Sequence, residues 1–179
     1  NLNNMMTKNI KETDSDLIVV GKTTGHLYQS EFFREVVGIK DGPPPDVNLF
    51  NEKNNGLIVK KLIQKKLLNA VHDISSGGII LALSEMSIAG GIGAKIKIPK
   101  TNLTLHEYFF GEDQSRYIIE VNKKNIPRVI EIFEENNTYY EKIGKTQKDC
   151  LELDKEFNIN IDDLYKLNNT WFNKYFDEI

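Results

Sequence analysis

The chain has 179 residues, 40% of them hydrophobic and 27% charged, with a formal net charge of −3. That is enough for one domain with its own core, and no basic block marks a nucleic-acid binder. A single cysteine, Cys150, excludes an internal disulfide framework and fits a reducing, cytoplasmic setting, and no apolar run approaches the ~20 residues that cross a membrane.

Residues 1–15 are polar, lack the apolar core of a secretion signal, and are expected to be a flexible lead-in to a single domain over 16–179. The absence of an initiator methionine fits a piece of a longer multidomain chain. The β-branched run 16–21 (DLIVVG) reads as a buried strand ended by glycine. Ser30 is placed to cap a short helix over 31–38, and the three prolines of 41–46 (DGPPPD) form a stiff extended connector. Phe50, Leu57, Ile58, Leu62, Ile63 and Leu67 recur at helical spacing over 48–68 with lysines on the outer face.

The stretch 71–93 (VHDISSGGIILALSEMSIAGGIG) then reads as strand, glycine-rich turn and helix, the central packing unit of the domain. Ile79, Ile80, Ala82, Leu83, Met86 and Ala89 give the helix a broad apolar face, and Ser75 or Ser76 is placed to cap it. Alternation over 94–98 predicts a half-buried strand, 104–110 a short helix, 116–121 a further strand, and 126–136 an amphipathic helix with Pro127 in its first turn. Segments 139–143 and 150–153 read as a closing strand pair. The tail from 161 onward carries Leu164, Leu167, Trp171, Phe172, Tyr175 and Phe176, and is expected to dock an aromatic helix face on the body. The order of elements is mixed α/β, with four to six strands in one sheet.

Three places carry candidate chemistry. His72 and Asp73 end a strand just before Ser75, Ser76, Gly77 and Gly78. Such a turn offers backbone N–H groups and a helix N-terminus to an anion, at the sheet edge where ligands bind in open α/β folds. The same residues equally serve as a plain turn and cap. It is neither a Walker A loop nor a dinucleotide fingerprint. Adjacent residues on a strand point to opposite faces, so at most one of His72 and Asp73 faces a given site. The second place is 110–116 (FGEDQSR), where Glu112, Asp113 and Gln114 present acceptors and an amide to ribose hydroxyls or Mg²⁺, or pair among themselves in a turn. The third, 25–30 (GHLYQS), is a polar loop before a helix. No histidine-based metal site and no nucleophilic triad is read here, and no catalytic residue is assigned.

The combination of VHDISSGGIILALSEMSIAGGIGAKI and FFGEDQSRYIIEV resembles the last domain of the synthetase subunit in the phosphoribosylformylglycinamidine synthase family. LIVVGKTTGHLYQS, GPPPDVNLFNEK, the closing IGKT and the WF-containing tail follow in the same order. The resemblance implies a three-layer α/β/α fold with a mixed sheet, like the C-terminal domain of aminoimidazole ribonucleotide synthetase. It implies a part of an ATP- and Mg²⁺-dependent ligase of purine biosynthesis. That enzyme makes formylglycinamidine ribonucleotide from formylglycinamide ribonucleotide and glutamine-derived ammonia. Its implied partners are upstream domains of the same chain, a glutaminase subunit and a small bridging subunit, with neither nucleic acid nor membrane.

In that family the loop matching Glu112, Asp113 and Gln114 touches substrate in the first of two related halves, and the position of Asp73 holds Mg²⁺. This chain resembles the second half, where Asp73, Ser75, Ser76, Gly77, Gly78 and the Glu112–Asp113–Gln114 loop are expected to serve an auxiliary nucleotide site or structure alone. The fragment by itself is expected to be inactive. It departs from the family at Ser76, where an aspartate is usual, and near Lys22 and Tyr28, where glutamate and glycine are usual. The alternatives are a stand-alone nucleotide- or phosphate-binding module, or another enzyme of the same superfamily.

Overall fold

The computed structural model describes residues 5–177. Its centre is β1 (Asp16–Val20), whose five residues are all buried. A β-branched run buried on both faces needs cover on both sides. Leu17 and Val19 face one core and Ile18 and Val20 the other. Antiparallel strands flank it: β4 (Tyr117–Val121) on one side and β5 (Tyr140–Gln147) on the other.

The sheet continues outward to β2 (Ala70–Asp73) beside β4, and to β3 (Gly93–Ile96), β6 (Cys150–Leu153) and β7 (Phe157–Asn160) beyond β5. Among the described residues the order β2-β4-β1-β5-β3-β6-β7 gives a seven-stranded mixed sheet, in which only β3 and β6 run parallel.

Helices cover both faces, so the layering is α/β/α. On one face lie α2 (Gly78–Gly90), α3 (Leu105–Phe110) and the first turn of α5 (Ile161–Asp177). Ile79, Leu83, Met86, Tyr108, Phe109 and Ile161 pack there under the sheet. On the other face lie α1 (Leu49–Gln64) and α4 (Ile126–Glu135), through Ile58, Val59, Leu62, Val129, Ile132 and Phe133. Each such side chain contributes about 1.5–3 kcal/mol on full burial. The capping box at Thr104 and Glu107 starts α3, and Pro127 stands in the first turn of α4. The segment Phe32–Val37 is a single π-helical stretch, begun by the Phe33 N–H donating to the Ser30 hydroxyl.

Several expectations are corrected. The sheet has seven strands, not four to six. The β2–turn–α2 unit sits at the sheet edge rather than its centre, because β4 pairs on both sides and separates β2 from β1. β5 and β6 do not pair, since β3 lies between them and is bonded to both. The buried face of α1 is turned toward Asn55, Ile58, Val59 and Leu62, leaving Phe50 76% and Leu57 52% exposed.

Among the described side chains the aromatic tail does not dock as a face; Phe176 lies outside them. Ile161 and Leu164 pack on the body, while Tyr165, Leu167, Trp171, Phe172 and Tyr175 are exposed. Residues 1–4 of the expected flexible lead-in lie outside the described residues, as does the end of the tail. The rest of the lead-in is anchored. Ile10 is buried in the α2-side core, and its N–H donates to the Met86 carbonyl. Ser15 donates its N–H to the Thr146 hydroxyl. The buried Glu120 carboxylate accepts from the Lys11 and Glu12 N–H groups. Among the described residues no helix is long and apolar enough to cross a membrane.

Candidate functional site

Three strand ends meet on one side of the sheet. Val20 of β1 and Asp73 of β2 both register with Tyr117, the first residue of β4. Beyond them the chain makes three loops: 21–30 after β1, 74–77 after β2, and 111–116 before β4. The last of these is the hub, and its residues settle where the other two lie.

Arg116 is buried to 1% exposure, and a guanidinium without water needs protein acceptors. It donates through Nε to the Asp113 carbonyl (3.1 Å), through Nη2 to the Gly111 carbonyl (2.6 Å) and through Nη1 to the Thr23 hydroxyl (3.1 Å). The Asp113 carboxylate lies 3.5 Å from Nη1. Burial pushes the guanidinium pKa down, and Asp113, Tyr108 and Glu112 pull it back up.

Asp113 faces the loop after β1. Its carboxylate accepts the backbone N–H groups of Thr24 (2.9 Å), Gly25 (3.0 Å) and His26 (3.1 Å), and the Thr24 hydroxyl. Three successive N–H groups closing on one carboxylate form an anion nest filled from within the chain. Burial opposes ionisation, but the Thr24 hydroxyl, Arg116 and the backbone donors outweigh it and hold the carboxyl below the usual aspartate range.

Glu112 does the same for the other two segments. Its Oε1 accepts the N–H of Gly77 and the N–H of Glu31, each at 2.7 Å. The Gly78 N–H donates to the Ser75 carbonyl. Gly77 is the N-cap of α2, and neither Ser75 nor Ser76 caps it with a side chain. The cap expected from the serines is therefore supplied by a carboxylate from the neighbouring loop. Gly78 is required by contact as well as by its φ of 68°: a Cβ there would stand 2.6 Å from the Phe109 carbonyl oxygen and 2.8 Å from that of Gly111.

The open space lies on either side of Gln114, the exposed residue of the hub loop. A polar cavity of about 280 Å³ is bounded by Lys22, Thr24, His26, Asn51, Asn55 and Asp113, with Asp46 and Asn48 of the connector at its rim. A second, of about 180 Å³, is bounded by Glu52, Asp73, Ser75, Gln114 and Tyr117. Asn55 braces the wall between them, donating its amide to the Ser115 carbonyl (2.9 Å) and hydroxyl (3.1 Å).

Of the residues singled out from sequence, Asp73, Ser75, Asp113 and Gln114 line these cavities, while Ser76, Gly78 and Glu112 do not. Gly77 faces a separate apolar groove beside Phe32 and Leu81. His72 turns away, its Nε2 2.9 Å from Glu85 on α2. Sequence reasoning passed over Asn48, Asn51 and Asn55. Their spacing of three and four at the start of one helix was the available signal.

The N–H groups of Gly77 and Gly78 are already bonded, to the Glu112 carboxylate and the Ser75 carbonyl, so neither is offered to an anion as the turn stands. Among the described residues no three His, Cys, Asp or Glu side chains come together.

Residues 14–154 match the family described as AIR synthase related protein, C-terminal domain. Over 174 residues the chain is 46% identical to a phosphoribosylformylglycinamidine synthase subunit PurL of Pelagibacter ubique, covering 97% of this chain and 24% of that protein. A PurL of Methylocella silvestris is 40% identical over 159 residues, 89% of this chain and 22% of that protein. The chain thus spans about a quarter of the length of these relatives. Among solved structures, Thermotoga maritima PurL complexed with FGAR matches with a TM-score of 0.73 at 15% identity, over 91% of this chain and 30% of that one. A thiamine-monophosphate kinase of Stenotrophomonas maltophilia shares the fold more distantly, with a TM-score of 0.57 over 84% of this chain and 53% of that one. With the matched segment running from before β1 to the end of β6, the chain belongs to the family of AIR synthase related protein C-terminal domains.

Proposed function

We propose that this chain is the C-terminal domain of an ATP-dependent ligase that converts formylglycinamide ribonucleotide and glutamine-derived ammonia to formylglycinamidine ribonucleotide in purine biosynthesis. The observation that carries the reading is the 46% identity to a PurL over 97% of this chain, on only 24% of that protein's length. The domain acts as a rigid partner to the rest of the enzyme and supplies no catalytic group of its own. Its carboxylates Glu112 and Asp113 are spent on holding loops, which supports a structural use of that motif here. ATP and Mg²⁺ belong to the remainder of the enzyme, and the working compartment is the cytoplasm. A Thermotoga maritima PurLQS structure supports a multisubunit setting, and the proposed partners are a glutaminase and a small bridging subunit.

Two measurements test this. The isolated chain, given ATP, Mg²⁺, formylglycinamide ribonucleotide and ammonia, forms no product; turnover by the chain alone overturns the reading. Grafted in place of the matching quarter of the Pelagibacter ubique PurL, it restores ammonia-dependent synthesis, and an inactive, well-folded graft beside an active parent also overturns it.

The cavities around Gln114 favour a second, auxiliary role. Asp73, Ser75 and Gln114, with Lys22 across the larger cavity, hold a nucleotide that stabilises the assembled enzyme. Calorimetry of the chain with ADP and Mg²⁺ decides it: heat lost on Asp73→Ala supports the role, and no heat with the unaltered chain removes it.

A further inference from the structure

The helices of one face leave half of the sheet bare. The core beneath α1 and α4 takes side chains from β1, β2 and β4, with Tyr140 at the start of β5, but none from β3, β6 or β7. Ala94 and Ile96 of β3 point into the opposite, α2-side core, so Lys95 and Lys97 stand on the bare face. Four lysines, Lys95, Lys97, Lys142 and Lys145, line one shallow depression of about 190 Å³ there. Its floor is Gly144, where any Cβ would meet the Lys95 carbonyl oxygen at 2.2 Å. The floor is therefore backbone, walled by lysine stems whose aliphatic carbons are free to pack on a guest.

Positive charge slightly exceeds negative on this face: four lysines stand with Asp16 and Glu152, and Asp154 lies within electrostatic reach of Lys95. One row crosses four strands in register: Asp16 on β1, Lys145 on β5, Lys95 on β3 and Glu152 on β6. Lys95 pairs with Glu152 at 2.6 Å, and Asp16 is taken by Lys142 at 2.7 Å. Lys97 and Lys145 have no ion-pair partner among the described residues. Lys145 and Lys95 are direct cross-strand neighbours, and like charges so placed destabilise a sheet. A face shaped by solvation alone gains by alternating sign across the ladder. This one sets Lys95 and Lys145 side by side and keeps a small positive excess on a chain whose net charge is −3.

The geometry points to a docking surface for an extended acidic segment of a partner polypeptide, seated across β5 and β3. Lys95 and Lys97 are two residues apart on a strand, and alternate side chains of an extended peptide repeat at the same spacing, about 6.6–7 Å. Acidic residues at alternate positions of the guest thus meet the lysines in step, and the residues between them turn away from the sheet. A single phosphate is the poorer fit. Two of the four lysines are already paired, with Glu152 and Asp16, and no arginine lines the depression to grip an anion bidentately.

The test uses the 179-residue chain, a decapeptide with glutamate at alternate positions, and a twin carrying glutamine in their place. Binding of the glutamate peptide is expected to weaken with salt. It is expected to fall about tenfold in the K97E/K145E variant, the sum of two exposed ion pairs. Both substituted residues lie off the core, so an unchanged circular dichroism spectrum and melting curve are expected to show the variant folded; should K97E/K145E unfold, the milder K97Q/K145Q serves in its place. Failure of the unaltered chain to bind the glutamate peptide overturns the proposal. So does equal binding of the glutamine twin, or affinity untouched by the lysine changes. Inorganic phosphate or anionic lipid vesicles that bind with the same lysine dependence and displace the peptide also overturn it, by showing a general anion patch.

Discussion

The Glu112 carboxylate accepts the backbone N–H of Gly77 at 2.7 Å, so the glycine turn that starts α2 is capped from a loop 35 residues further along the chain. The same oxygen accepts the N–H of Glu31, and one side chain ties three loops together. In a turn that looks like a phosphate cradle in sequence, the Gly77 N–H is engaged by an internal carboxylate and the Gly78 N–H by the Ser75 carbonyl. This is why the candidate site moves from the glycines to the cavities around Gln114.

Removing that carboxylate tests the arrangement. Glu112→Ala leaves two backbone donors without their charged acceptor, one of them on the buried Gly77. Each charge-assisted bond contributes about 1.5–3 kcal/mol, so the expected destabilisation is about 2–4 kcal/mol, with water recovering part at Glu31. Glu112→Gln keeps a neutral acceptor and is expected to lose about half as much. Urea unfolding of the three proteins reads the order. Equal midpoints for all three would show that the lock contributes nothing.

Gly78 and Gly38 offer a matched comparison. Both have positive φ, 68° and 79°, but a Cβ at Gly78 collides with two carbonyl oxygens whereas one at Gly38 meets nothing within 4 Å. Gly38→Ala is expected to cost only the left-handed backbone penalty, about 1–2 kcal/mol. Gly78→Ala adds the displacement of the loop after α3 and is expected to cost well over that, about 3 kcal/mol or more. Thermal melts of both variants give the difference, and equal losses would mean that the close approach to α3 is relieved at no cost.

How much of this was legible in the sequence follows from the range of the forces involved. The buried strand at 16–20, the short helix at 104–110 and the amphipathic α4 were readable because each is fixed by residues within a few positions of one another. The insertion of β3 between β5 and β6 was not, since register between distant strands leaves no mark in either local pattern. β7 was missed because its FNIN sequence alternates only weakly and lies beyond a turn that reads as an end. The buried face of α1 was misjudged because Phe50 and Leu57 count as apolar in any periodicity, though only packing against β1 and β4 decides which face turns inward. The resemblance carried by the glycine turn and the FGEDQSR loop was sound, and the family match bears it out. The physical use of Glu112 was hidden, because its partners lie 35 and 81 residues away.

Asp113 predicts a pH dependence. Its folded pKa lies below the usual aspartate value of about 4, held there by Thr24, Arg116 and the backbone donors against the cost of burial. With a depressed folded pKa, the unfolded chain takes up the proton first as pH falls. The stability Asp113 contributes is therefore complete above pH ~4 and is lost progressively below it, through its folded pKa. Asp113→Asn is expected to be less stable at pH 7, because it leaves Arg116 buried without its counter-charge. Its stability is expected to fall less steeply than that of the unaltered chain below pH ~4. Chemical unfolding at several pH values checks both features, and parallel curves for the two proteins would remove Asp113 from the account of acid sensitivity.

The last helix separates docking from mere amphipathicity. Leu164 packs against the α2-side core, whereas Trp171, two turns on, is 59% exposed. If α5 is held through its first turn, Leu164→Ala costs about 1–2 kcal/mol for a partly buried leucine, and Trp171→Ala stays within about 0.5 kcal/mol. The order is the reverse of what side-chain size suggests, since tryptophan has more apolar surface to lose. Guanidinium unfolding of the isolated chain reads both values. A larger loss at Trp171 would mean that the aromatic end of α5 folds back on the body in solution, as the sequence alone had implied.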